Sequence, residues 1–266
     1  MTDKAATESK AGAGVGHVKS ADRVMSVLDL IAANGAMSFT EIVDGLGVPK
    51  SSAHALLRTM QDRKYISIDA QSKEYRLGNR IWELAQANHG IEDLRTLMKP
   101  LMVRLMERTE ETVQLARLDG VEAIYLELAE SPHPVKLTSR PGARLPAHTS
   151  AIGKALLAGL EPEEVSERLG TDPLVQLTEH TISDPNELLD ELGRVRKAGY
   201  SVDDEEFAVG LRCLAMPVHD AMGRPIAAMS VSVPTPRYSR KGMAEARRAL
   251  SETVAEAATL LGDWRD

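Results

Sequence analysis

The sequence places basic and small polar side chains at helical spacing between positions 50 and 58. These side chains are Lys50, Ser51, Ser52, His54 and Arg58. The apolar residues among and after them repeat with the same period and are Ala53, Leu56, Leu57 and Met60. The two sets therefore fall on opposite faces of one predicted helix. A helix N-terminus attracts phosphate, and side chains of these types reach base edges in the major groove, so the pattern predicts a DNA-recognition helix.

The elements around this helix are those of a small DNA-binding unit. One helix is predicted from the N-cap Ser20 to Asn34-Gly35, and a second from the N-cap Ser38 to Gly47, with a short turn through Pro49 to the third. Extended segments at 65–68 and 74–77 then predict a hairpin whose basic residues, Lys73 and Arg76, contact the DNA backbone. Ser38 is included among the predicted DNA contacts. Three helices and a hairpin over 18–80 predict a winged helix-turn-helix.

The charge distribution agrees with this interpretation. The whole chain of 266 residues carries a formal net charge of -7. Residues 1–80 contain eleven Lys/Arg and nine Asp/Glu, a net +2, so the remainder carries -9. Within 50–80 the net charge is +4. A basic segment on an acidic protein favours a nucleic-acid-binding unit attached to a second domain, although a three-helix cap with a solvated polar face gives the same pattern.

The rest of the chain predicts a mixed domain behind a helical linker. We expect a disordered tail at 1–17, a linker helix at 81–97, and an effector-binding and oligomerisation domain at 98–266, with Pro100 at a kink or in a first turn. Alternating segments predict strands at 112–118, 123–128, 135–138, 199–203, 211–218 and 226–233. Helical patterns lie at 150–160, 162–169, 186–198 and 241–261. Antiparallel strands with helices predict an α+β fold with two domains.

Composition excludes several classes of protein. A single cysteine, Cys213, rules out an intramolecular disulfide and any multi-thiolate metal site. No apolar run approaches the length of a membrane span, and no signal-peptide core is present, so we expect a cytoplasmic protein without a membrane partner. No cofactor or metal is expected. Cys213 lies inside a predicted strand, away from any helix N-terminus that would activate its thiol, so a thiol hydrolase is a minor alternative.

Longer motifs in both halves resemble the IclR-type bacterial transcriptional regulators. Residues 18–85 are similar to the N-terminal domain of that family, with Ala55 where many of its members have arginine. In the second half the similar segments are 145–158 (LPAHTSAIGKALLA), 199–206 (GYSVDDEE), 210–215 (GLRCLA), 223–225 (GRP) and 230–232 (SVS). The resemblance covers nearly the whole chain after the tail. It implies a GAF-like C-terminal domain that binds a small organic effector.

The resemblance also implies which residues contact the effector. Asp203, Cys213, Ser230 and Ser232 match the family's effector-contacting positions, and the backbone N–H groups of Ala151 and Ile152 fall where an effector carboxylate would bind. Leu137 and Leu145 would form an apolar wall. From the residues alone, Ser230 and Ser232 share one strand face, which also fits a solvated sheet face. Asp204, Glu205 and Glu206 are interpreted as a solvated charge run.

Taken together, the sequence predicts a ligand-responsive transcriptional regulator. We expect it to bind double-stranded operator DNA as a homodimer or a dimer of dimers, and to repress a catabolic operon under control of an aromatic acid, a keto acid or a derivative. The main alternative is a small-molecule sensor whose winged helix binds protein instead of DNA.

Overall fold

A computed structural model describes residues 18–86, 89–220 and 222–263. The chain divides into two compact units, one up to His89 and one from Gly90 onward. The predicted tail at 1–17 lies outside the described residues. The predicted linker at 81–97 coincides with the end of one helix, α4 (Asn79–Gln86), and the first half of the next, α5 (His89–Thr109); residues 87 and 88 between them are not described.

The first unit begins with three helices. They are α1 (Lys19–Asn34), α2 (Phe39–Leu46) and α3 (Lys50–Asp62). The antiparallel hairpin β1 (Ile66–Ile68) and β2 (Tyr75–Leu77) follows, with a bridge from Met37 to Tyr75. A small core holds the helices and the hairpin together; among its buried members are Val27, Ile31, Ile42, Leu57, Met60 and Ile66. The winged helix-turn-helix is therefore confirmed, except that the N-cap position of α1 is Val18, which makes no side-chain capping bond, and not Ser20.

The second unit is built on a six-stranded antiparallel sheet. Its strands are β3 (Thr112–Asp119), β4 (Glu122–Ala129), β5 (Arg144–Pro146), β6 (Ser201–Asp204), β7 (Leu211–His219) and β8 (Pro225–Pro234). They lie in the order β5-β4-β3-β8-β7-β6. The strands alternate between the two faces, so each face carries its own set of side chains. The predicted α+β class is confirmed.

The two faces of the sheet are covered differently. One face is apolar and packs on α5 and on α9 (Arg240–Asp263), in a core that includes Met98, Leu105, Leu115, Met229, Val231 and Leu250. The other face carries smaller and polar side chains and packs on α6 (Ala151–Leu157). Two further helices, α7 (Pro162–Leu169) and α8 (Pro185–Ala198), pack around α6.

One prediction for this unit is wrong, and one of the two alternatives for Pro100 is excluded. Residues 135–138 are not a strand: Val135 is 63% exposed, and the sheet edge is formed instead by β5, which pairs with β4 through Leu145 and Ala123. Pro100 lies inside α5, which continues through it to Thr109, so it is not in a first turn. A proline removes one hydrogen bond of the helix, and burial of Met98, Leu101 and Met102 outweighs that loss.

Candidate nucleic-acid interface and effector site

The α3 helix presents its polar set to solvent. Lys50, Ser51, Ser52, His54 and Arg58 are all exposed, whereas Ala53, Leu57 and Met60 are buried. Within the described part of the chain, Lys50 and Arg58 form no ion pair, so both charges remain available to a partner. The sequence therefore separated the two faces of this helix correctly.

The N-terminus of α3 is suited to an anion. Its N-cap is Pro49, which has no side-chain acceptor, and the first intrahelical bond runs from the Ala53 N–H to the Pro49 carbonyl. Among the described residues, no side chain caps the N–H groups of Lys50, Ser51 and Ser52. Free N–H groups at the positive end of a thirteen-residue helix can donate to a phosphate.

The elements before α3 fix its position. Gly47 ends α2 with φ of 61°, in the left-handed region that glycine adopts at little cost. The Phe39 ring lies 4.3 Å from the His54 ring, centroid to centroid, so the exposed imidazole packs on the start of α2. Ser38 caps α2: its Oγ accepts from the Glu41 N–H at 3.3 Å, and the Glu41 carboxylate accepts from the Ser38 N–H at 2.7 Å. Ser38 thus has a structural role whether or not it touches DNA.

The hairpin supplies two more basic side chains. Lys73 is exposed at its tip with φ of 58°, and Arg76 is exposed on β2, 3.8 Å from the Glu74 carboxylate. The Asp69 carboxylate shapes the tip by accepting from the N–H groups of Gln71 and Ser72, and these bonds lower its pKa. Both basic residues lie on the wing as predicted.

The structure also brings the predicted effector residues together, on the polar face of the sheet. Asp203 on β6 lies opposite Cys213 on β7, and Cys213 lies opposite Ser232 on β8. Leu137, Leu145, Ala151, Ile152 and Cys213 belong to one apolar cluster on that face. Asp203, Cys213, Ser230 and Ser232 are each at most 6% exposed. The polar residues are therefore enclosed, and a solvated sheet face is excluded for the two serines.

Gln114 on β3 connects the two serines and was missed from the sequence. Its Oε1 accepts from the Ser230 hydroxyl at 2.7 Å and lies 3.1 Å from the Ser232 hydroxyl, while its Nε2 lies 3.0 Å from Ser232 Oγ. Gln114 is fully buried between Val113 and Leu115. The sequence does show a polar residue inside an apolar strand, which marks Gln114 as unusual. It does not show that β3 pairs with β8, and that pairing is what brings Gln114 to the two serines.

Asp203 is the least satisfied polar group of the site. Its Oδ1 accepts from the N–H groups of Glu206 at 2.7 Å and Phe207 at 3.3 Å, while its buried Oδ2 has no hydrogen-bond partner. Burial is the largest cause that raises the pKa of this carboxyl to about 7; the Glu206 charge acts in the same direction, and the two backbone hydrogen bonds and the Lys154 charge act against it. The free oxygen can accept a hydrogen bond when ionised and donate one when protonated.

Glu206 corrects the prediction of a solvated charge run at 204–206. Its carboxylate accepts two bonds from the Lys154 ammonium of α6, at 2.6 and 2.8 Å, and both residues are buried. Glu191 of α8 lies 3.6 Å from the same ammonium. The packing is close here: a Cβ on Gly153 would lie 2.0 Å from the Ala147 carbonyl oxygen. Sequence alone could not pair residues 52 positions apart.

Cys213 has the environment of a buried thiol. Its Sγ lies 3.1 Å from Ser232 Oγ, and burial raises its pKa well above the ordinary range, with the Asp203 charge acting in the same direction. A nucleophilic cysteine needs the opposite shift. Among the described residues there is no cluster of histidine, cysteine and carboxylate side chains that could hold a metal ion. No helix in the described ranges is long and apolar enough to cross a bilayer.

Comparison with known proteins assigns both units to one family. The profile described as "Bacterial transcriptional regulator IclR C-terminal" matches residues 87–259, and that described as "IclR helix-turn-helix domain" matches residues 20–70. The chain belongs to the IclR family. It is a DNA-binding transcriptional regulator and not an enzyme. Neither the thiol-hydrolase alternative nor a winged helix that binds protein instead of DNA is favoured by these similarities.

The similarity to individual IclR-family proteins extends over most of the chain. The HTH-type transcriptional regulator BhcR of Paracoccus denitrificans is 36% identical over 243 residues, which are 91% of this chain and 86% of that protein. Transcriptional repressor IclR of Escherichia coli is 33% identical over 94% of this chain and 92% of its own length. An IclR homologue from Microbacterium hydrocarbonoxydans, solved in complex with 4-hydroxybenzoate, superposes with a TM-score of 0.82 at 28% identity, covering 92% of this chain and all of that chain.

Proposed function

We propose that this IclR-family regulator binds operator DNA through the exposed face of α3 and the wing, and that a small organic effector controls it by binding beside Asp203. The observation that carries the first part is the composition of one helix face. Lys50, Ser51, Ser52, His54 and Arg58 are all exposed, and the helix N-terminus they surround is uncapped. Lys73 and Arg76 on the wing provide further contacts to the DNA backbone.

The biological setting follows from this mode of binding. A chain with one recognition helix reads two half-sites when two copies bind together, so we propose a homodimer or a dimer of dimers on a near-palindromic operator. Because operator DNA is reached in the cytoplasm, we propose that location for the protein. Relatives named "Transcriptional repressor IclR" and "Acetate operon repressor" support repression of a catabolic operon as the output.

The effector site is proposed at Asp203, Cys213, Ser230 and Ser232. Asp203 offers a buried oxygen without a partner, and Ser230 retains acceptor capacity after its hydroxyl has donated to Gln114. The α6 N–H groups at Ala151 and Ile152 suit a carboxylate, and Leu137 and Leu145 form an apolar wall. The 4-hydroxybenzoate complex of the Microbacterium homologue supports a small aromatic acid, and a keto acid is the second class.

The DNA-binding proposal is tested with two single substitutions. The DNA is the fragment that the wild-type chain enriches most from sheared genomic DNA of its source. Arg58→Ala should weaken binding to this fragment by about 5- to 150-fold, the cost of one lost base contact, and Lys50→Ala should weaken binding less and more uniformly across sequences. Fluorescence anisotropy measures both affinities. Arg248→Ala, which removes an exposed guanidinium from α9 (70% exposed), is the matched control and should bind normally.

Two results would count against this proposal. Wild-type affinity in both α3 variants would remove the recognition-helix assignment. Affinity for DNA that does not fall as salt rises would favour a winged helix that binds protein, because phosphate contacts release counterions.

A further inference from the structure

Tyr125 on β4 is a second polar residue of the effector face whose side chain makes no hydrogen bond within the described residues. The residue is 6% exposed and belongs to the same cluster as Leu145, Ile152 and Cys213. Among the described residues, its hydroxyl forms no hydrogen bond. The hydroxyl oxygen is not one of the fully buried polar atoms without a partner, so it keeps some exposure on this face. A phenol O–H that uses none of its hydrogen-bonding capacity on protein atoms is therefore available to a bound ligand.

The location of Tyr125 connects it to Asp203. Cys213 packs in the cluster with Tyr125 and lies opposite Asp203 in the sheet register. Burial is the largest cause that raises the pKa of the Tyr125 hydroxyl, and the neighbouring Cys213 and Asp203 act in the same direction, so the phenol remains a neutral donor. One side of the site thus holds an unused O–H donor, and the other holds an unused carboxylate oxygen.

The backbone of Tyr125 also holds the loop that carries the apolar wall. Its N–H donates to the Ala143 carbonyl at 3.0 Å, and its carbonyl accepts from the Gly142 N–H at 2.7 Å. The chain continues from there to Leu145, which is 4% exposed beside Ala123 in the sheet. Hydrogen bonds therefore hold both the N–H and the carbonyl of Tyr125, and they fix the point from which its side chain extends. A donor held in one position favours ligands whose acceptor matches that position.

We infer that Tyr125 is a specificity-determining residue of the effector site, and that it selects a ligand with two distinct polar groups. Its hydroxyl donates to an acceptor on the ligand, while a hydroxyl or N–H of the same ligand donates to Oδ2 of Asp203. The ligand class is a small hydroxy acid with an apolar body that fits against Leu145 and Ile152. This inference rests on the proposed effector site and adds the chemical class of the effector and one contact to it.

The test compares two acids that differ by one donor. 4-Hydroxybenzoate carries an acceptor and a donor, and benzoate carries the acceptor alone. Isothermal titration of the full chain should show at least about tenfold tighter binding of 4-hydroxybenzoate, since a site built around a ligand hydroxyl rejects the analogue without it. Tyr125→Phe should weaken both acids by about tenfold, and Asp203→Asn should abolish the preference between them.

A matched control and a second measurement make each result decisive. Tyr75→Phe removes another buried tyrosine hydroxyl, from the DNA-binding unit, and should bind both acids like the wild type. Wild-type affinity for both acids in Tyr125→Phe overturns the role of Tyr125. Equal affinity of the wild type for the two acids, or binding of neither, overturns the ligand class. The same preparations are titrated with operator DNA: retained DNA binding confines a failure to this inference, whereas its loss in the wild type refutes the proposed function.

Discussion

Two pairs of serines in this chain have the same chemistry and opposite surroundings. Ser51 and Ser52 lie on the open face of α3, exposed beside an uncapped helix N-terminus. Ser230 and Ser232 lie on β8 at 3% and 2% exposure, hydrogen-bonded to Gln114. The first pair is free to meet a large anionic partner. The second pair is buried in a hydrogen-bond network, out of reach of a large partner. Exposure thus distinguishes the serines of the proposed DNA-binding surface from those of the proposed effector site.

The difference also determines what a mutation does. An exposed polar side chain is hydrated before and after folding, so its removal changes binding and leaves stability almost unchanged. A buried polar side chain leaves its partner unsatisfied when it is removed, and this costs folding free energy. Substitutions on α3 and on the effector face should therefore give opposite patterns of stability and affinity.

The largest contrast is expected between two lysines. Lys154→Ala leaves the Glu206 carboxylate buried without its cation and should lower the free energy of unfolding by about 3–5 kcal/mol. Lys50→Ala, at an exposed position, should change it by less than about 0.5 kcal/mol. Urea denaturation followed by circular dichroism measures both values. The double variant Lys154→Met, Glu206→Leu should recover part of the loss, and equal losses in the two single variants would contradict the contrast.

Buried carboxyls of the effector face should make the stability of the fold decrease as the pH rises. The pKa of Asp203 is raised from 3.8 to about 7 in the folded chain, so the folded state binds the proton more tightly than the unfolded state. Its contribution to stability is therefore complete below about pH 4 and is lost as the pH rises to about 7, a change of a few kcal/mol. Glu206, whose pKa is also raised by burial, acts in the same direction, while the Lys154 charge opposes both shifts.

Asp203→Asn isolates this effect. Urea midpoints measured between about pH 5 and pH 8 should decline in the wild type and decline less in Asp203→Asn. Among the other titratable groups near Asp203, Cys213 and Tyr125 have raised pKa values and stay neutral across this range, and Glu206 and Lys154 are present in both proteins. A decline of the same size in both proteins would show that Asp203 titrates normally.

The serine pairs give a smaller and more direct contrast. Ser230→Ala with Ser232→Ala should cost about 1–3 kcal/mol of stability, because Gln114 loses its partners, and should abolish ligand-induced thermal stabilisation while operator binding persists. Ser51→Ala with Ser52→Ala should leave the melting temperature unchanged and weaken operator binding. Differential scanning fluorimetry and anisotropy together measure the four outcomes. A double variant of β8 that still responds to the effector at the wild-type concentration would refute the proposed pocket.

Local signals explain which parts of the molecule the sequence predicts well. The second helix begins after Ser38 and ends before Gly47 as predicted. Both ends depend on residues close together in sequence, a capping box at the start and a glycine in the left-handed conformation at the end. The faces of α3 follow from periodicity alone. The wing follows from two short alternating segments around a polar tip that Asp69 organises.

The misses share a dependence on contacts between distant segments. Residues 135–138 alternate like a strand, but the edge position on β4 is taken by β5, only three residues long. Gln114, Tyr125 and the Lys154–Glu206 pair acquire their surroundings from strand order and helix packing, which spacing along the chain does not encode. The predicted effector residues came from a family resemblance, and the strand pattern added only that Ser230 and Ser232 share one face.

The most direct test of the central claim is operator affinity as a function of salt, with the wild-type chain and Arg58→Ala side by side. For the wild type, the logarithm of the association constant should fall linearly with the logarithm of salt concentration between about 50 and 200 mM, with a slope of about -0.9 per phosphate contact. Arg58→Ala should bind less tightly at every salt concentration and lose sequence preference. Identical curves for the two proteins, or a wild-type curve without slope, would contradict the account of α3 as the DNA-reading surface.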